Sequence, residues 1–209
     1  MNILESLKWR YATKKFDSNT VLSEEQIHIL KEAFNLTATS FGLQPIKMLV
    51  IQSKKLRESL VPHAFGQKQI VDASHLLVIC IQKESSVKDV ENYFNLVKEI
   101  RNTPDKILAP FKEYMIGTVS KATTDELQQA AKSQAYIALG NLLTVCATQQ
   151  IDSCPMEGFN PSKFDKVLEL DKMNLKSVLL LPVGNRAKDD YMADLKKVRK
   201  STENTVIEL

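Results

Sequence analysis

The sequence predicts an α+β fold, arranged as one domain with a charged tail. Three runs are apolar enough to be buried strands, and they cover residues 46–52, 76–82 and 177–184. Stretches with helical spacing of apolar residues lie between them, most clearly over about 24–35 and about 124–149. The 209 residues show no internal repeat, low-complexity linker or domain boundary, so one domain is expected.

Each predicted helix has its own signal. Apolar residues at helical spacing predict a short first helix over residues 2–9. A capping box begins each long helix, with Ser23 and Thr123 at the N-cap and a Gln or Glu three residues later. Mixed charge predicts two surface helices over residues 86–102 and 105–120.

Two segments carry an expectation about packing. The helix at about 124–149 is rich in alanine, which permits close approach, so we expect neighbours on all its sides, one of which could belong to another subunit. The last 25 residues are mostly polar and charged, but residues 205–207 resemble a short strand.

Composition excludes several classes of protein. Apolar residues make up 44%, charged residues 25% and the net charge is +3, which does not favour a nucleic-acid or membrane-surface protein. No apolar run reaches the roughly 18 residues of a membrane span, and the N-terminus lacks signal-peptide features. Three cysteines, an odd number, predict reduced thiols and a cytoplasmic location. The three histidines are scattered, so no metal site is expected.

Common catalytic and nucleotide motifs are missing. The six glycines form neither GxGxxG nor a P-loop, and no GxSxG elbow or cysteine with a nearby histidine is present. Glu157, beside apolar neighbours, is the best candidate for acid–base chemistry, with an ordinary surface turn as an equal alternative.

Cations gather near both ends of the chain. Arg10 and Lys14 would share one face of a helical turn, and Lys197 and Arg199 lie near the C-terminus. If the two ends met, they would form a cationic pocket for phosphate that needs no glycine loop.

Five motifs, in order along the chain, resemble those of the flavin-dependent nitroreductase family, the NAD(P)H-dependent FMN oxidoreductases. They are the Arg10-x-x-x-Lys14-x-Phe16 motif, the Thr39-Ser40 loop that ends in Gln44-Pro45, the Gly66-Gln67-x-Gln69 segment, the Pro155-Met156-Glu157-Gly158-Phe159 turn and the Lys197-x-Arg199 pair. The resemblance implies a nitroreductase-like fold, with a central antiparallel sheet flanked by helices. It also implies an intertwined homodimer in which residues 185–209 cross to the partner.

The resemblance implies bound FMN, with NAD(P)H as co-substrate and a small-molecule electron acceptor. Arg10 and Lys14 would hold the phosphate, the ribityl chain or the pyrimidine edge, and Lys197 and Arg199 would complete the phosphate site. The full implied set of flavin contacts is Arg10, Tyr11, Ala12, Lys14, Thr39, Ser40, Gln67, Gln69, Pro155, Met156, Glu157, Gly158, Lys197 and Arg199.

Specific roles follow from the same resemblance. Thr39 and Ser40 would reach the ribityl chain or phosphate from the other subunit, and Gln69 would bind the polar edge of the flavin. The Glu157-Gly158 backbone would donate to the N5 region, the catalytic position. The implied reaction is a ping-pong reduction of nitroaromatics, quinones or similar acceptors.

Some positions depart from the family pattern, and three alternatives stay open. Ala12 replaces the usual serine and removes a hydroxyl, Tyr11 stands where a small residue or a histidine is common, and Gly66 replaces a frequent asparagine. The alternatives are a flavin or pteridine reductase of the same fold, a flavin-binding module without turnover, and a small basic nucleic-acid-binding protein. The near-neutral charge disfavours the last.

Overall fold

The computed structural model describes residues 2–209 and contains one four-stranded antiparallel sheet. The strands are β1 (Ile46–Ile51), β2 (His75–Gln82), β3 (Asp152–Ser153) and β4 (Leu175–Gly184), in the spatial order β1-β2-β4-β3. The α-helices within the described residues are α1 (Ile3–Trp9), α2 (Glu24–Asn35), α3 (Lys54–Leu60), α4 (Gln69–Asp72), α5 (Val87–Arg101), α6 (Asp105–Lys121), α7 (Thr124–Thr148) and α8 (Pro161–Val167).

The central strand β2 is buried on both faces, as its apolar sequence predicts. Leu77 and Ile79 pack into the layer formed with α2 and α7. Leu76 and Val78 point the other way, into the layer that contains α3, α4 and α8. All four side chains are fully buried. Because successive side chains of a strand alternate in direction, a strand with helices on both sides must be apolar throughout.

The two capping boxes form and set where the long helices begin. The Ser23 hydroxyl accepts from the Gln26 amide at 3.2 Å, and the Gln26 side chain accepts from the Ser23 amide at 3.0 Å. Thr123 and Glu126 make the same reciprocal pair at 3.3 and 2.8 Å. The predicted bounds of α2 and α7 are therefore confirmed to within one residue, because the boxes satisfy the otherwise free first amides.

Helix α7 is not surrounded on all sides by residues 2–209, so the expectation of neighbours all round, one of which could belong to another subunit, stays a prediction. Its buried face, with Ala135, Ala138 and Leu142, packs against the sheet and α2. The opposite face carries Ile137, which is 50% exposed, and Gly140, around which a Cβ would meet no atom of residues 2–209 within 4 Å. The layers of one chain cover only part of this helix.

The expected strand over residues 205–207 does not form within this single chain, and its pairing with the sheet of a partner stays a prediction. Thr202–Asn204 form a 3-10 turn, the amide of Thr205 donates to the Thr202 carbonyl at 3.0 Å, and the residues after it have no regular structure. Val206 and Ile207 are 54% and 85% exposed. A strand needs a neighbouring edge for its backbone hydrogen bonds, and within residues 2–209 no strand lies beside this segment.

The segment after α1 brings the two ends of the chain together. The Thr13 amide donates to the Ser153 carbonyl in β3 at 3.2 Å. Farther along, the Asp17 amide donates to the Asn185 carbonyl at 2.8 Å, just past the end of β4. These backbone hydrogen bonds hold the N-terminal segment against the start of the C-terminal tail.

Candidate functional site

A cleft of about 450 Å³ lies between the two ends of the chain. One wall is formed by residues 8–12, and the other by residues 192–199 except Asp194. Five lining residues are cationic, and among the described residues that line the cleft none is acidic. The cationic residues are Lys8, Arg10, Lys196, Lys197 and Arg199.

Arg10 lies at the centre of this charge. Its Nε is buried and has no hydrogen-bond partner in the part of the chain that the structure describes. The Lys197 ammonium donates to the Arg10 main-chain carbonyl, which places a second cation beside it. An unpaired buried guanidinium nitrogen is costly, and hydrogen bonds from a guanidinium group to an anion are among the strong ones.

The cations in the cleft lower one another's pKa values. Burial lowers the pKa of Arg10, and the neighbouring charge of Arg199 lowers it further. Burial also lowers the pKa of Lys197, with Arg10 and Arg199 acting in the same direction. Like charges held in a partly buried place favour an incoming anion, because the anion removes both penalties.

Lys14 does not share this cleft, and the premise that it lies one helical turn from Arg10 is wrong. Arg10 is the C-cap of α1, with extended backbone angles of φ −66° and ψ 144°. The following segment is extended, since Ala12 pairs with Ser153 in β3. In an extended segment the i, i+4 rule of helices does not apply. Lys14 is exposed and lies outside the cleft lining.

The hydroxyl of the neighbouring Thr13 does not replace the one missing at Ala12. The next residue, Thr13, is fully buried, and its hydroxyl has no partner among residues 2–209. Ala12 itself lines the cleft, as does Tyr11. The wall of the cleft at this point therefore offers main chain and an aromatic side chain instead of a small hydroxyl.

The turn at residues 155–158 follows β3 directly. Met156 exchanges two backbone hydrogen bonds with Leu180 of β4, at 2.9 and 3.0 Å, which fixes the start of the turn on the sheet. Glu157 and Gly158 are exposed, so Glu157 is not a carboxyl group in an apolar setting. Pro155 is two residues after Ser153, the partner of Ala12 in a parallel bridge, so the turn continues from the strand that one wall of the cleft contacts.

Two side chains hold this turn. Gln67 Nε2 donates to the Gly158 carbonyl at 2.7 Å. The Tyr136 hydroxyl, from α7, donates to Glu157 Oε1 at 2.6 Å, and this hydrogen bond raises the pKa of Tyr136. Gln69 begins α4 two residues after Gln67. The structure thus brings together Gln67 and the 155–158 turn, and it adds Tyr136, which sequence reasoning missed.

Thr39 and Ser40 lie elsewhere in the chain. The Ser40 amide donates to Gln134 Oε1 on α7 at 2.8 Å, and Thr39 Oγ1 accepts from the Gln44 amide at 3.3 Å. Neither residue lines the cleft. Within one chain these residues and the cations are therefore not part of one pocket.

Sequence reasoning also missed Arg186 and Asp190, which contact the cleft-lining residues Trp9 and Tyr11. Asp190 is only 3% exposed, and Arg186 stacks on Trp9 and Tyr11. Both residues lie in a run of mixed charge, where a buried carboxylate and a solvated one look alike. Asp190 binds residues 175 to 179 positions away, and Arg186 contacts Asp152 at 34 positions and two rings still farther away, so no local pattern identifies either residue.

Two further features of residues 2–209 bear on the site. No group of three or more His, Cys, Asp or Glu side chains in this range is placed to hold a metal ion. None of the helices described is long and apolar enough to cross a membrane.

Comparison with known proteins gives the family. The model of the Nitroreductase family matches residues 7–185. "Putative NAD(P)H nitroreductase YfkO" of Bacillus subtilis is 31% identical over 215 residues, which cover 98% of this chain and 96% of that protein.

Solved structures show the same fold. The ydfN structure from Bacillus subtilis has a TM-score of 0.87 at 17% identity and covers 99% of this chain and 98% of its own. A "putative nitroreductase in complex with FMN" from Exiguobacterium sibiricum has a TM-score of 0.84 at 21% identity and covers 100% and 98%. The expected nitroreductase-like α+β fold with an antiparallel central sheet is thus confirmed, and the chain belongs to the nitroreductase family.

Proposed function

We propose that this protein is an FMN-dependent oxidoreductase that uses NAD(P)H to reduce nitroaromatics, quinones or related acceptors. The observation that carries the proposal is the cleft between the chain ends, where Arg10 has a buried nitrogen without a partner in the described chain. The name of the Bacillus subtilis relative, "Putative NAD(P)H nitroreductase YfkO", and the FMN complex from Exiguobacterium sibiricum support it.

The chemistry of the cleft fits the phosphate end of FMN. A phosphate monoester carries close to two negative charges at neutral pH, and guanidinium groups bind it through paired hydrogen bonds. Arg10 and Arg199 would bind in this way, and Lys197 would add a point charge. The volume of about 450 Å³ lies in the range of small-molecule sites.

The 155–158 turn would present main-chain groups to the reactive ring. Bound FMN supplies hydride transfer between NAD(P)H and the acceptor, which occupy the same place in turn in a ping-pong cycle. The Glu157-Gly158 backbone would orient the N5 region, and Gln67 keeps the Gly158 carbonyl turned toward itself at 2.7 Å. Gln69 would bind the polar edge of the ring. Because the turn is exposed, both reactants can approach it.

The proposal includes a cytoplasmic homodimer, with residues 1–209 as one FMN-binding domain and 185–209 as a crossing tail. The exposed apolar side chains of α1, of α7 and of the tail support a second copy, because a partner chain would remove their apolar surface from water. Examples are Leu4 at 64%, Ile137 at 50% and Ile207 at 85% exposure. In the dimer, Thr39 and Ser40 would reach the partner's cofactor. A monomeric mass in light scattering would contradict the proposed homodimer.

The absorbance of the purified protein tests the main proposal. A yellow protein that NADH or NADPH bleaches under anaerobic conditions, and that a nitroaromatic or quinone then restores, is the expected result. A colourless protein that takes up no added FMN would overturn the proposal. A yellow protein that neither nucleotide bleaches would favour the flavin-binding module without turnover.

Two tail variants test where the phosphate binds. Arg199→Ala removes a cation that lines the cleft, so we expect a folded protein that loses FMN on dilution. Lys200→Ala is the matched control, because it removes the next cation in the tail, which is exposed and outside the lining. Equal retention of FMN by the two variants would place the anion site elsewhere.

A further inference from the structure

Tyr11 departs from the family motif, and in this chain it is held at both of its ends. Its hydroxyl donates to Asp190 Oδ2 at 2.9 Å. Its ring stacks on the Arg186 guanidinium, whose carbon is 4.6 Å from the Tyr11 ring centroid and 4.4 Å from that of Trp9. An arginine between two aromatic rings is a favourable cation–π arrangement, which fixes the position of both rings.

Asp190 is the polar centre of this arrangement. Besides the Tyr11 hydroxyl, its Oδ2 accepts from the amides of Lys14 at 2.9 Å and Lys15 at 3.2 Å. Its Oδ1 accepts from the Met192 amide at 3.1 Å. Burial acts to raise the pKa of Asp190, but these four hydrogen bonds outweigh burial and hold the pKa below its usual value. The carboxylate therefore stays charged at neutral pH.

Arg186 is anchored in turn to the sheet. Its backbone amide donates to Asp152 Oδ2 at 2.9 Å, and its Nε donates to Asp152 Oδ1 at 2.7 Å. Asp152 is the first residue of β3 and is buried. The contacts from Tyr11 through Arg186 thus end on β3. Asp190 joins the second wall to the first, because it binds both Tyr11 and the Met192 amide.

We propose that Tyr11, Asp190 and Arg186 form a lock that holds Arg10 and the tail cations in place for the cofactor phosphate. These three side chains act as positioning residues. Together they set how strongly the protein prefers FMN over riboflavin, the same flavin without a phosphate. This inference rests on the proposed function and concerns the same site.

The physical reason is preorganisation. The cleft collects five cations without an acidic residue among its described lining, and they would drift apart if the segments that carry them were free. The Asp190 hydrogen bonds hold both walls before the ligand arrives, so binding does not have to order them. Phosphate binding depends on the cations of the two walls being held close together. The isoalloxazine ring and the ribityl chain bind through contacts outside this group of cations.

The test compares Asp190→Asn with Asp189→Asn. Both variants remove one negative charge from adjacent positions, but Asp189 is exposed and, among residues 2–209, pairs with the Lys15 side chain. The full-length chain, freed of flavin, is titrated separately with FMN and with riboflavin. Flavin fluorescence and quenching of Trp9, the one tryptophan in the sequence, report binding, and Trp9 lines the cleft.

We expect Asp190→Asn to weaken FMN binding at least about tenfold and to change riboflavin binding less than about twofold. Asp189→Asn should match the unaltered protein with both flavins. Tyr11→Phe keeps the ring stacked on Arg186 and removes only the hydroxyl, so it should show a smaller selective loss, about threefold. If Asp190→Asn does not fold, Tyr11→Phe decides the question.

The outcomes separate this inference from the proposed function. Asp190→Asn and Tyr11→Phe that weaken both flavins equally, or neither flavin, would overturn the lock while leaving the FMN site in place. Unaltered protein that binds riboflavin as tightly as FMN, or binds neither, would overturn both the lock and the proposed phosphate site. A selective loss of FMN in both variants supports the lock.

Discussion

The two central strands and the cleft between the chain ends differ in how their buried groups are satisfied. In β2 and β4, side chains such as Leu77 and Leu179 are fully buried among apolar neighbours. In the cleft, the Arg10 Nε is buried without a partner in the described chain, and Lys197 faces like charges. The buried groups of the strands are satisfied by their own chain, whereas under the proposed function an anion would satisfy those of the cleft.

The same two regions differ in the sequence distance that they bridge. The pattern of β2 is contained in eight consecutive residues, and it determines on its own that the strand is buried on both faces. The cleft joins Lys197 to Arg10 across 187 positions. A region built from a local pattern can be stable without a ligand, and a region built from distant charges needs support from other contacts.

The largest expected effect is in the core. Leu179→Ala removes a fully buried side chain that packs between β4 and α7, so we expect a loss of about 3 kcal/mol in the free energy of unfolding. Urea unfolding followed by circular dichroism measures it. Leu36→Ala, at a position that is 76% exposed, is the control and should change the free energy by less than about 0.5 kcal/mol. Similar losses in the two variants would contradict the placement of the core.

The same contrast decides what the sequence could predict of the fold. The capping boxes at Ser23 and Thr123 and the apolar run of β2 are local signals, and the structure has the elements they predict. The two-residue strand β3 carries no such signal, because it exists only through its pairing with the end of β4. The exposed face of α7 could not be foreseen either, since composition does not tell how far one chain covers a helix.

For the site, the residue types were predictable and their arrangement was not. The cations at positions 10, 197 and 199 stand out in the sequence, and the structure places them around one cleft. The helical turn that would have joined Arg10 to Lys14 does not form, because Ala12 pairs with β3. The sequence around Asp190 does not predict its burial, since only tertiary contacts distinguish it from Asp189.

The second prediction concerns the cleft and should separate its stability from that of the core. Arg10→Ala removes a cation that Arg199 repels, so without a ligand the free energy of unfolding should change by less than about 1 kcal/mol. Inorganic phosphate should raise the melting temperature of the flavin-free protein by a few degrees, about 2–4 °C per kcal/mol, and should have little effect on the variant.

Differential scanning fluorimetry at constant ionic strength, with chloride in place of phosphate as the control, measures this difference. Lys200→Ala should keep the full response to phosphate, because Lys200 lies outside the cleft lining. If Arg10→Ala destabilised the protein as much as Leu179→Ala, the cleft would be part of the folding core, and the contrast between the two regions would fail.

The smallest expected effect is the pH dependence that the buried His75 gives to the free energy of unfolding. His75, at the start of β2, is 5% exposed, and its Nδ1 lies 2.8 Å from the Ser74 hydroxyl. Burial lowers the pKa of His75, and the charges of Arg57 and Lys31 lower it further. The unfolded chain, with an ordinary histidine pKa of about 6.5, therefore binds a proton before the folded protein does. Stability from this group is complete above about pH 6.5 and falls as the pH decreases toward the lower folded pKa.

The free energy of unfolding from urea titrations at pH 7.5, 6.5 and 5.5 measures the slope, and His75→Asn should flatten it. The core would then be shown to keep its histidine neutral, whereas the cleft keeps Arg10 and Lys197 charged although burial also lowers their pKa values. The difference lies in the intrinsic pKa, because a guanidinium or ammonium group starts several units above neutrality and an imidazole starts just below it. An equal slope in the two proteins would show that His75 is free to take up a proton in the folded state, and that the start of β2 is more open to water than its burial indicates.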